Sequence, residues 1–325
     1  MSRPHSRALT FVIALAAPAI TLVACGARTG LLAPDAEDAS IDATSDRRDA
    51  TADRDATPDV RDATAEDALP SIDSSKDGPK PPPLGCTDAG ATQIYLITSQ
   101  NELLSFYPPT LLFTKVGNIA CPDAGAATPF SMGVDRSGFA FSVFNDGRLF
   151  RVSTATAACQ TTPYVANQLG FQVFGMGYAG DQNSEKLYTA ESDFNNPSKG
   201  LAAIDTQTFL LSSVGAFQPP LPRCELTGTG DDRLFAFCLK QGASGSIIAQ
   251  IDRTNAKVVA ADNLVLGNQS NAFAFAFWGG DFYIFTSPGG ASSVTKYDPL
   301  AKTETIVATH PSTIVGAGVS TCAPQ

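Results

Sequence analysis

Histidine is almost missing from this chain, with two copies among 325 residues. His5 belongs to an N-terminal stretch that looks removable, which leaves His310 in the turn-like Thr309-His-Pro-Ser-Thr313. A Ser-His-Asp triad or a histidine metal site would have to be built on that one imidazole, and no Gly-x-Ser-x-Gly occurs. Closely spaced cysteines are missing too: no two are separated by only two to four residues, which disfavours a four-cysteine zinc site. Basic residues number 22 against 32 acidic ones, for a net charge of -10, and no Lys/Arg stripe occurs, so no nucleic-acid partner is expected.

The acidity that is present is local. Residues 33 to 80 hold fourteen Asp/Glu and six Lys/Arg, which is -8 of the total, and leave residues 81 to 325 at -5. Within residues 45 to 67 the only large aliphatic side chain is Val60, and Arg-Asp-Ala-Thr recurs at residues 48, 54 and 61. Asp and Thr are poor helix formers, no apolar heptad runs through the repeats, and low hydrophobicity with excess charge leaves nothing to offset the entropy of ordering. No Asp-x-Asp-x-Asp-Gly calcium loop is present. A solvated, disordered spacer is predicted, stiffened at its end by the polyproline run in Lys80-Pro-Pro-Pro-Leu-Gly85.

In front of the spacer, Arg3 and Arg7 precede an apolar run from Ala8 to Ala24, as in a secretory signal. The run ends in Leu22-Val23-Ala24-Cys25, which resembles the lipobox of bacterial lipoproteins. The resemblance implies cleavage before Cys25, lipid on that cysteine and a stable membrane anchor. Gly26 stands where an inner-membrane retention Asp would be, so the resemblance points to the outer membrane of a bacterial cell envelope. Three parts are expected: a signal at residues 1–24, lipidated Cys25 with a disordered linker at 25–85, and a folded domain at 86–325.

That domain repeats. The segments ELLSFYPPTLLFTKV, GRLFRVSTATAACQT, GLAAIDTQTFLLSSV, IIAQIDRTNAKVVAA and SVTKYDPLAKTETIV each read as strand, polar turn, strand. Phe106, Val152, Ile204, Ile251 and Tyr297 correspond, at intervals of 46, 52, 47 and 46 residues. A second strand lies upstream of each, and a third precedes it in every unit but the first. The missing strand stands at the far end, in Ile314 to Thr321, where ring closure needs it. An all-β propeller is predicted, with five four-stranded blades and the C-terminal strand completing the first. Paired β-sandwiches would not leave one terminal unit a strand short, and about 46 residues with four strands is long for a solenoid coil.

Six cysteines remain after Cys25, an even number in an exported chain. If Arg223-Cys-Glu through Phe237-Cys238 forms a hairpin, Cys224 and Cys238 stand opposite one another. Ring closure brings Cys86 toward Cys322, which leaves Cys121 for Cys159; the alternative is that these are buried free thiols.

Catalytic signals are thin. Gly175-Met-Gly177-Tyr-Ala-Gly180 fits a dinucleotide fingerprint, yet loop and strand follow it instead of a helix, so close packing near the propeller axis is expected. Asp205, Asp252 and Asp298 recur at one turn, where Asp bonds nearby N–H groups. Outside the repeat, Asn145 and Asp146, then Asp193, Asn195 and Asn196, sit in loops between second and third strands. These loops and Trp278, a candidate stacking surface for sugar, are the candidate ligand contacts. The expected function is an envelope-anchored module that binds a protein or a glycan. The alternatives are a glycan or lactone hydrolase, calcium-assisted and using clustered Asp146, Glu191 and Asp193, and a structural envelope component.

Overall fold

Each repeat folds into one antiparallel sheet, in the order that the sequence predicts. The first sheet holds β1 (Ile94–Thr98), β2 (Glu102–Tyr107) and β3 (Leu112–Asn118); the second, β4 (Pro129–Val134), β5 (Phe139–Phe144), β6 (Leu149–Ser153) and β7 (Cys159–Thr161). The third runs β8 (Phe174–Gly180), β9 (Glu185–Glu191), β10 (Leu201–Ile204) and β11 (Leu211–Gly215); the fourth, β12 (Cys224–Gly228), β13 (Leu234–Leu239), β14 (Ser246–Ile251) and β15 (Val258–Leu264). The fifth comprises β16 (Ala272–Trp278), β17 (Asp281–Gly289), β18 (Ala291–Asp298) and β19 (Thr303–His310). The last strand, β20 (Ile314–Val319), returns to pair with β1 through Ile94↔Val319, Leu96↔Ala317 and Thr98↔Ile314, and also packs against β16 and β4. The ring is closed.

This computed structural model describes residues 69–73, 85–86, 92–181, 183–192, 198–240, 244–266 and 271–325. Residues 62–325 form one compact unit. The signal at 1–24, Cys25 and the Arg-Asp-Ala-Thr repeats lie outside the described residues, as do Asp193, Asn195 and Asn196.

The strands follow from burial. Strands in the middle of a blade are covered on both faces and read as near-continuous apolar runs, such as Ile94-Tyr-Leu-Ile97, in which every residue is buried. The outermost strands alternate: in β15, Val258, Ala260, Asp262 and Leu264 point in while Val259 and Asn263 point out. Five apolar clusters fill the five seams between adjacent blades. Phe106, Val152, Ile204, Ile251 and Tyr297, which marked the period, are all buried.

The period also fixes the turns. Leu111, Ala157, Phe209, Ala256 and Lys302 adopt left-handed conformations at one position in each blade, between the third and fourth strands of the ring. Where the turn carries Asp, its Oδ1 accepts backbone hydrogen bonds: Asp205 from Gln207 and Thr208, Asp252 from Thr254, Asp298 from Leu300 and Ala301. These carboxylates hold turns, as their recurrence indicates.

All three disulfides form as the repeat suggests. Cys224 and Cys238 are direct partners in the β12–β13 register, 4.1 Å apart at Cα. Cys121 and Cys159 are 4.8 Å apart, and Cys86 and Cys322 are 5.6 Å apart across 236 residues of sequence.

One feature departs from the sequence reading. Within the segment expected to be spacer, Leu69–Asp73 lies on the propeller, with Ile72 buried in the cluster between blades 4 and 5. An isolated isoleucine in a polar run carries no periodic signal, so only the tertiary fold supplies its seat.

Candidate functional site

The five inner strands, β20, β4, β8, β12 and β16, run parallel around the axis. They lie so close that glycines are needed. A Cβ on Gly177 would fall 2.8 Å from the Leu226 carbonyl oxygen and 2.9 Å from Thr227 Cα, and one on Gly175 would fall 2.7 Å from Glu225 Cα. The Gly-x-Gly-x-x-Gly stretch is therefore a packing device of β8, as expected.

Four of these strands carry no charge; β12 carries Glu225. Its side chain reaches Ser131 of β4, two blades away, and Ser131 Oγ donates to Glu225 Oε2 at 2.6 Å. The Met176 N–H of the intervening strand donates to Ser131 Oγ at 3.2 Å, and Ser142 Oγ donates to the Ser131 carbonyl at 3.1 Å. Burial pushes the Glu225 carboxyl up to about 8, against the opposing pull of Ser131, Arg223 and the Met176 N–H.

Two residues before Glu225, just ahead of β12, Arg223 exerts its charge on that carboxyl. Its guanidinium lies 4.8 Å from the ring centre of Phe273 and 5.5 Å from that of Phe130, both second residues of their inner strands. Burial lowers its pKa to about 10 against the pull of Glu225, so it stays charged. A half-buried cation framed by two aromatic faces thus stands at the centre of one end of the ring.

The other end is closed differently. Arg136, in the turn after β4, is buried; its Nε donates to Thr321 Oγ1 at 2.7 Å and its Nη2 to the Asp181 carbonyl. Glu185 accepts from the Arg136 N–H and from Thr321 Oγ1, both at 2.8 Å. Burial raises the Glu185 carboxyl, and that of Asp135 beside it, despite these donors. Blades 1, 2 and 3 are pinned together by this cluster.

The candidates named from sequence divide between the two ends. Asn145 and Asp146 lie between β5 and β6, at the Arg223 end, where both hold loops. Asn145 Oδ1 accepts from the Thr128 N–H at 3.2 Å, and Asp146 is ion-paired to Arg148 at 2.6 Å. Burial pushes the Asp146 carboxyl up, but Arg148 outweighs it and the net shift is downward. Glu191 is buried at the same end and accepts from the Lys199 N–H at 3.3 Å. Trp278 ends β16 and so sits at the opposite end; its Nε1 donates to the Thr92 carbonyl and its ring meets Tyr107 edge-on at 6.3 Å. It does not join the loops around Asp146. Among the described residues no three His, Cys, Asp or Glu side chains gather to hold a metal ion. The calcium expectation leaned on Asn145 and Asp146, whose atoms hold their own loop, and on Asp193, Asn195 and Asn196, which lie outside the described residues.

His310 ends β19 instead of lying in a free turn; its ring packs 4.9 Å from that of Phe113, and burial lowers its pKa. Sequence reading passed over Arg223 and Glu225. The available signal was a charge inside an otherwise apolar axial strand, Cys224-Glu-Leu226.

No protein-family model matches the chain, and no curated protein does. Among solved structures, one of a nidogen/laminin complex is 13% identical with a TM-score of 0.47, covering 70% of this chain and 97% of its own. The RRP9 WD40 repeats are 8% identical at a TM-score of 0.40, covering 71% of this chain and 81% of theirs. An exo-β-1,3-galactanase from Phanerochaete chrysosporium is 13% identical at a TM-score of 0.43, covering 60% of this chain and 53% of its own.

Proposed function

We propose that the protein is a lipoprotein, anchored through Cys25 to the outer membrane of a bacterial envelope, whose propeller is a binding module. It recognises a carboxylate or other anionic group on an envelope protein or glycan, at the end of the ring where Arg223 stands. One observation carries this reading: the Arg223 guanidinium is held between Phe130 and Phe273 over the axis. An arginine framed by aromatic faces at the middle of a surface is the composition and position of an interaction hot spot, and a planar fork suits carboxylate.

Two measurements test it. The full chain and its Arg223→Gln variant are titrated against acidic and neutral glycans and carboxylate-bearing peptides. Selective binding of acidic ligands is expected, weakened at least ~30-fold by the substitution, as for a hot-spot residue. Equal binding by both proteins would remove Arg223 from the site. For the anchor, Cys25→Ser is expected to move the protein from the membrane to the soluble envelope fraction.

A further inference from the structure

Leu69–Asp73 sits at the seam of blades 4 and 5 in the manner of a bound peptide. Ile72 is 2% exposed, whereas Leu69, Pro70, Ser71 and Asp73 are exposed, so a single side chain enters the protein. It joins a cluster containing Ala260 and Leu264 of β15 and Phe282 and Tyr297 of blade 5. Two main-chain contacts flank it: the Ala261 N–H donates to the Pro70 carbonyl at 2.9 Å, and Lys302 Nζ to the Ile72 carbonyl at 3.4 Å. Lys302 is held in place by Asp262, at 2.8 Å, and Asp262 accepts from the Tyr297 hydroxyl at 3.0 Å. β15 is the outer strand of its blade, and its edge is where an added strand finds unpaired backbone groups.

One apolar anchor, an edge-strand hydrogen bond and a lysine on a carbonyl are the means by which sheet edges recognise extended peptides. The walls of the seat also pack on one another. Phe235, Phe275 and Phe282 of the two blades pack on each other, with ring centres 5.0 Å apart for Phe235 and Phe282 and 5.3 Å apart for Phe275 and Phe282. We propose that this seam is a recognition groove for a short extended peptide of the pattern Pro-x-Ile, filled in the resting protein by its own residues 69–73, and that this latch is releasable. A competing segment of the same pattern would displace it. Release would then add residues 69 to 85 to the tether, up to ~60 Å of reach if fully extended. The groove lies on the flank of the ring and is independent of the Arg223 reading.

The test uses the full chain carrying Ile72→Asp and a fluorescent peptide of residues 67 to 75. By anisotropy, the peptide is expected to bind the variant at least ~10-fold more tightly than it binds the wild type, whose own copy competes at roughly millimolar effective concentration. The same peptide with Ile72→Asp should bind neither. A folded variant that does not bind, or equal binding by variant and wild type, would overturn the proposal.

Should Ile72→Asp not fold, the wild-type chain is cut after folding at a protease site placed between residues 74 and 84. The released N-terminal fragment, which carries residues 69 to 73, should then dissociate on dilution, faster in excess peptide, and rebind when concentrated. Retention up to global unfolding would make Ile72 part of the core, and a fragment that never rebinds would show that there is no groove.

Discussion

Ser131 and Glu225 share a 2.6 Å hydrogen bond although they belong to inner strands two blades apart, because the strand between them carries glycine at position 175. A side chain there would press on the backbone of Cys224 and Glu225. Narrow packing and the buried acid are thus one arrangement, and it can be tested from both sides.

The acid side predicts a pH dependence. Glu225 has its folded pKa pushed up from 4.5 to about 8 by burial. Below the lower value both folded and unfolded chains hold the proton; between the two only the folded chain does, so stability falls as pH rises through that window and levels off above it. Asp135 and Glu185, also raised by burial, act in the same direction. Thermal melts at about pH 5 and about pH 9 should show a smaller loss for Glu225→Gln than for wild type, with the variant the more stable at the upper value by a few kcal/mol at most. Parallel pH profiles would show that Glu225 is solvated.

The glycine side predicts a steric loss. Gly175→Ala puts a Cβ 2.7 Å from Glu225 Cα, with only backbone around it to yield, and should cost about 3 kcal/mol, the upper part of the range for overpacking. Gly279→Ala meets no atom within 4 Å and bears only the strain of φ +62°, so its loss should be about 1 kcal/mol. Denaturant unfolding with disulfides intact ranks the two; the reverse order would mean that β8 and β12 can move apart.

Closure of the ring predicts a redox-dependent effect. The Cys86–Cys322 bridge spans 236 residues, and removing so long a cross-link should cost about 5 kcal/mol on the chain-entropy account. Cys86→Ser should therefore melt well below wild type under oxidising conditions and alongside it in excess reductant. Equal deficits in both conditions would assign the loss to packing around the cysteine instead of to the bridge.

At the far end of the axis, Arg136 and Glu185 are both largely buried, at 8% and 15% side-chain exposure. Arg136→Ala strands the carboxylate and should cost about 3 to 5 kcal/mol at neutral pH. Adding Glu185→Gln removes the stranded charge, so the double variant should be more stable than Arg136→Ala alone. Additive losses in the double-mutant cycle would indicate that the two side chains do not depend on one another.

Much of this architecture is legible in one dimension. The strand-turn-strand unit recurs at intervals of 46 to 52 residues, and a ring follows once the last strand is given to the first blade. Of the disulfides, Cys224–Cys238 follows from the hairpin register, Cys86–Cys322 from ring closure and Cys121–Cys159 from the cysteines that remain. The candidate site is less legible. Asn145 and Asp146 fall on the predicted loop, but their atoms are engaged in holding it, and Trp278 lies at the other end of the ring, since a strand's two ends are separated by its whole length.

By itself the sequence determined the repeat, the strands within each unit and the transfer of the last strand to the first blade, because each of these follows from a local pattern repeated along the chain. Only the tertiary structure decided that Glu225 meets Ser131, that Arg223 lies between Phe130 and Phe273, that Arg136 ties three blades together, and that Ile72 enters the seam of blades 4 and 5. Those contacts join residues up to 230 positions apart, as for Ile72 and Lys302. They depend on how far neighbouring blades slide and close upon one another, which is set by side-chain volume at the axis and seams and not by any period.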